Sequence, residues 1–127
     1  MKYFPKECIL TIKELRKICE EWKIILGLEN WDIKVEICRQ NALLSDSTGT
    51  CNAVSSMRTA TIKMISPIDW DAKPFVYNME TVLVHELLHC HFNVLNECFK
   101  KPLINTIFEQ NIELLANVLV GLRREIK

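Results

Sequence analysis

The stretch from Thr81 to Cys90 reads Thr-Val-Leu-Val-His-Glu-Leu-Leu-His-Cys, placing three ionisable side chains inside a run of apolar residues. Around it the apolar pattern runs from Pro74 to about Phe99, long enough for a buried helix. At about 100° per residue, Met79, Leu83, Leu87, Cys90, Val94 and Cys98 fall on one side of that helix. His85, Glu86 and His89 fall roughly opposite, together with Asn78, Asn93 and Asn96. A helix patterned this way must bury one face in a core and open the other onto a polar cleft. Two histidines four residues apart lie one turn above each other and can present both imidazoles to one metal ion. Glu86 sits beside them, where a carboxylate can act on water.

The remaining chain supplies partners for that helix. Apolar residues recur at helical spacing from about Pro5 to Leu26, with Gly27 as a natural C-cap. From Trp31 the period changes to two: Trp31, Ile33, Val35 and Ile37 alternate with Asp32, Lys34, Glu36 and Cys38, the mark of a half-buried strand. Asn41 to Gly49 is turn-rich. Further strands are expected over about Thr50 to Ser55 and over Thr59 to Ile65, the latter with Ala60, Ile62 and Met64 on one face and placed as an edge beside the histidine helix. Ser66-Pro67 ends it, and Ile68 to Lys73 reads as loop. Lys100-Lys101-Pro102 breaks the long helix, and a last one runs from about Leu103 to Arg124. One helix, a sheet of about three strands and two helices indicate an α+β fold in a single domain spanning 1–127.

Charge narrows the partners. Lys plus Arg equals Asp plus Glu at 16 each, so no net field argues for nucleic acid or an anionic membrane. No segment is apolar for the length of a membrane helix, and no secretory leader is expected at Met1–Glu7, which points to the cytoplasm. The six cysteines contain no Cys-x-x-Cys pair and read as reduced, mostly buried thiols.

The simplest alternative for His85 and His89 is a pair of core histidines bonded to backbone carbonyls. Three ionisable groups on one face of an apolar helix are costly to bury without a purpose, which favours a metal site. A catalytic zinc takes three protein ligands and keeps a position for water. The chain has three histidines, and His91 lies roughly 200° around the helix from His89, so the third ligand is a carboxylate or a cysteine. Glu97 is two turns beyond His89, about 12 Å away along the axis. Cys90 and Cys98 point to the apolar side. Glu109 and Glu113 remain, four apart on the last helix, at the level of His89 if the two helices form an antiparallel hairpin.

The stretch Val82 to Cys90 resembles the extended zincin motif. Glu109, twenty residues after His89, with Glu113 four further on, is similar to the gluzincin arrangement. That resemblance implies Glu109 as zinc ligand and Glu113 as the acid orienting a histidine, although gluzincins usually carry Asp at the second position. Glu113-Leu114-Leu115-Ala116-Asn117 also resembles the Glu-x-x-Ala-Asn signature of ImmA/IrrE-like peptidases, which implies Glu113 as the ligand. Small phage, prophage and SprT-like metallopeptidases share the general pattern, but the third histidine common in SprT-like proteins is missing. The resemblance spans about residues 31–120 and implies Zn²⁺ as cofactor, a peptide or protein substrate, and hydrolysis by metal-activated water with Glu86 as general base. Tyr77 and His91 are candidate oxyanion donors. The alternative is a non-catalytic, zinc-stabilised interaction module of phage or toxin type, whose closed site would use four ligands.

Overall fold

The computed structural model describes residues 6–43, 47–70, 76–98 and 102–125. Pro5, Asp71–Lys73, Pro74, Phe99 and the Lys100–Lys101 break lie outside them, as do the side chains of Asn96 and Glu97. The fold is α+β: a helix, a three-stranded mixed sheet, then two long helices.

Helix α1 runs Ile12–Ile25 and starts later than apolar spacing alone suggests. The Thr11 hydroxyl accepts from the Glu14 amide (3.2 Å) and the Glu14 carboxylate accepts from the Thr11 amide (3.0 Å), a capping box that defines the first turn. Cys8 ahead of it is extended and bonded across to the segment preceding the long helix, through Cys8 N–H to the Tyr77 carbonyl (2.9 Å) and Met79 N–H to the Cys8 carbonyl (2.8 Å). At the other end Gly27 takes φ 71°. The Gly27 and Leu28 amides donate back to the Ile24 and Lys23 carbonyls, a Schellman closure that only a residue tolerant of positive φ makes without strain.

Strands β1 (Asp32–Cys38), β2 (Gly49–Val54) and β3 (Thr59–Ile65) assemble in the order β1-β3-β2. β3 pairs with β1 in parallel and with β2 antiparallel. It is therefore the central strand, and β2 is the edge beside the histidine helix, which corrects the expectation for β3. The reason is composition: β3 buries Ala60, Ile62, Met64 and Ile65, whereas β2 carries Thr50 and Asn52 and tolerates a solvated rim. A single helical turn, α2 (Pro67–Trp70), replaces the expected loop because Pro67 suits a first helical position. Trp70 stacks on Tyr77 at 4.2 Å between ring centroids.

Helix α3 (Met79–Cys98) begins after Asn78, whose side chain accepts from the Thr81 amide (2.9 Å). This cap sets its start at Met79, five residues beyond Pro74. Met79, Leu83, Val84, Leu87, Leu88 and Cys90 are buried against the sheet and α1, while Val94 and Cys98 emerge into solvent past the sheet's end. Helix α4 (Pro102–Glu125) buries Ile112, Ala116, Val120 and Gly121. A polar knot ties three helices together: the buried Glu80 carboxylate accepts from Trp22 Nε1 (2.7 Å) and from both Arg124 Nε (2.8 Å) and Nη2.

Candidate metal centre

α3 and α4 face each other so that His85, His89 and Glu109 converge. One donor atom from each lies within 4.8 Å of the others, a group that could hold a metal ion. The Glu109 carboxylate sits between the two rings, Oε2 at 3.1 Å from His85 Nε2 and Oε1 at 3.0 Å from His89 Nε2. Ligands at zinc–ligand lengths on a tetrahedron lie roughly 3.3 Å apart, so the spacing suits a small cation with little rearrangement. The other ring nitrogen, His85 Nδ1, meets Glu113 Oε2 at 2.5 Å. Glu113 also accepts from Asn117 Nδ2 at 3.3 Å. Glu113 thus lies behind His85 and fixes the tautomer that leaves Nε2 free for a metal. The two acids of α4 are neighbours on one helix face but serve opposite sides of one imidazole.

The electrostatics follow from this packing. Burial alone would lower the His85 pKa, but hydrogen bonds to Glu109 and Glu113 and the nearby carboxylate charges outweigh it, so the imidazole is pushed up to about 10. Hydrogen bonds from His85 and His89 hold the Glu109 carboxyl far below the usual range. Glu113 is held down by His85.

Glu86 is different. It is 5% exposed, and what it does expose faces the cleft that His85, His89 and Glu109 also line. Burial raises its pKa, partly offset by the neighbouring His85 and His89 rings. The first residue of β2 lies directly against it: a Cβ on Gly49 would come within 3.2 Å of Glu86 Oε2, 3.2 Å of Val82 Cγ1 and 3.3 Å of the Lys63 carbonyl. Gly49, Val82 and Glu86 line an open cleft of about 710 Å³ between α3, α4 and the edge strand. Its wall also holds Thr81, one turn before His85, whose buried hydroxyl lacks a partner among the described residues.

Comparison with protein-family models, curated proteins and solved structures finds no match to the chain. The site therefore rests on its own geometry. That geometry brings His85, Glu86, His89, Glu109 and Glu113 to one cleft. It does not bring the two oxyanion candidates there. The Tyr77 hydroxyl donates to the Ile65 carbonyl (2.7 Å) in the core, and His91 Nε2 meets the Leu26 carbonyl (2.6 Å) at the end of α1. Tyr77 is pinned by its stacking on Trp70, and His91 leaves the ligand face because it follows His89 by only two residues. Sequence reasoning missed Gly49. Its signal was a glycine heading a strand, which marks a close backbone approach. No helix among the described residues is long and apolar enough to cross a membrane.

Proposed function

We propose that the chain is a zinc-dependent peptidase in which His85, His89 and Glu109 hold the metal and Glu86 is the general base. The observation that carries this reading is the Glu86 carboxylate: nearly buried, yet lining the cleft beside the three ligands. A buried carboxylate is expensive for a fold, and such groups are kept where they handle protons. Two imidazoles and a carboxylate with an open side suit zinc. A cation held there supplies Lewis-acid activation of water and of a peptide carbonyl.

The protein's own residues do the rest. Glu86, its pKa raised by burial, takes a proton from the attacking water and delivers it to the departing amine. Glu113 keeps the proton of His85 on Nδ1 and so holds the ring in orientation. β2 is bonded to β3 along one rim only, and its other rim borders the cleft, which supports an extended peptide adding as a further strand. Three ligands converge and Glu113 bonds the back of a ring, which argues against the four-ligand closed site of a non-catalytic module. Glu86→Gln is expected to retain bound zinc and lose hydrolysis of a peptide library by about 10²–10⁴-fold. Hydrolysis at the wild-type rate would refute the mechanism, and wild-type protein that binds zinc but cleaves nothing would leave the binding module as the better reading.

A further inference from the structure

The edge strand rides on α3 in a regular register. Gly49 abuts Glu86, Cys51 abuts Cys90, and Asn93 donates to the Ala53 carbonyl (3.5 Å) and to Ser55 Oγ (3.2 Å). Two strand residues advance about 6.6 Å, against about 6 Å for the four helical residues from Glu86 to Cys90 and about 4.5 Å for the three from Cys90 to Asn93, so the rungs stay roughly in step. The middle rung is a pair of thiols, Cys51 Sγ and Cys90 Sγ, 4.0 Å apart and 39 residues apart in sequence. No other two thiols touch among the described residues. All six cysteines, Cys51 and Cys90 included, are free thiols. Cys51 lines the cleft and is half-buried, whereas Cys90, next to His89, is 3% exposed.

We infer that Cys51 and Cys90 form a reversible disulfide on exposure to a peroxide, a modification site that joins the cleft's edge strand to the metal-binding helix. The sulfurs need approach each other by only about 2 Å to reach bonding distance. The oxidant reaches the pair through the cleft, which Cys51 lines. Attack of one of the two sulfurs on hydrogen peroxide breaks the O–O bond and yields a sulfenic acid and one water. The other sulfur then displaces that oxygen, forming the S–S bond while the hydroxyl and the second thiol's proton leave as a second water. Each sulfur loses one electron, and peroxide takes both. This inference does not rest on the peptidase reading, since the linkage is a property of two side chains and is read without substrate.

The test uses the full-length wild-type chain, fully reduced and then exposed to hydrogen peroxide. Remaining thiols are alkylated and the protein is digested without reductant for mass spectrometry. The expected result is a peptide pair joined through Cys51 and Cys90 and lacking two hydrogens, with Tm raised by about 10 °C, the change reversed by dithiothreitol. Recovery of Cys51 with added oxygen and no link, or of Cys90 joined to Cys19, would overturn the inference. So would an unchanged, fully alkylated Cys51. A folded Cys51→Ser variant should lose the rise in Tm, and persistence of that rise would equally refute the assignment.

Discussion

Replacing Glu113 with Gln separates the two carboxylates of α4 by role. The substitution keeps an acceptor of nearly the same shape but removes the charge facing His85 Nδ1. Loss of an outer carboxylate behind a ligating histidine weakens metal binding about 10–100-fold, or about 1.4–2.7 kcal/mol. The Glu113 side chain is 55% exposed, so solvent screening places the effect toward the lower end. Glu109→Gln removes a direct ligand. If a four-ligand zinc site is worth about 10–16 kcal/mol, one ligand is worth about 2.5–4, a loss of about 10²–10³-fold. Proton competition sharpens the comparison. In the metal-free wild type the raised His85 pKa keeps the ring protonated at neutral pH, and that proton must leave when metal binds. Apparent affinity should therefore climb about tenfold per pH unit and level off near pH 10. Without Glu113 the His85 pKa falls, so the variant levels off at lower pH and the gap from wild type widens as pH rises. Competition against a chromophoric chelator between pH 6.5 and 9.5 measures both curves. If Glu113→Gln abolishes binding as completely as Glu109→Gln at every pH, Glu113 is the ligand and the reasoning fails.

Gly49→Ala places a methyl group against Glu86, Val82 and the Lys63 carbonyl. The paired backbone of β3 cannot retreat, so the Glu86 side chain must, and the hydrolytic rate should fall about tenfold while zinc affinity holds. Arg124→Ala leaves the Glu80 carboxylate buried with Trp22 as its remaining partner and should destabilise the fold by about 2–3 kcal/mol in urea melts at pH 7. Burial opposes ionisation of Glu80, but its bonds to Arg124 and Trp22 win and hold its pKa below the usual value. That stabilisation is complete above about pH 4.3 and is lost as pH falls through the depressed pKa, so the variant and wild type should converge in acid. Zinc at a hundred times its Kd should stabilise the wild type by about 2.7 kcal/mol over the chelated protein, an increment that His85→Ala removes.

The residues that announced the site were those whose chemistry conflicts with their setting. His85, Glu86 and His89 are polar groups at fixed helical spacing in an apolar run, and Glu109 and Glu113 repeat that spacing on the last helix. Helical periodicity is local, so both ligand faces were legible. Strand order is not local. Nothing in the alternation of β3 says how many of its rims are bonded, and the sheet placed β2 at the cleft instead. Helix starts are local, but apolar spacing alone overruns them: Thr11 and Asn78 each accept from an amide three residues on and so set where the helices begin. The two α4 acids could not be told apart from sequence because their difference lies in which side of one imidazole each reaches.

Helix α4 is about 36 Å long and fastened at two widely spaced points. Near its C-terminus Arg124 grips Glu80, and about 22 Å away Glu109 meets the histidines. Between these points only every fourth residue or so is buried, and Leu114, Val118 and Leu122 face solvent. Amide hydrogens on such a helix need not exchange as one cooperative unit. Those near Arg124 should report the opening of the whole core, while those from Ile107 to Ile112 should report the occupancy of the metal site. Zinc would then slow exchange at one end of a helix and leave the other untouched, making the early turns of α4 a gauge of metal bound.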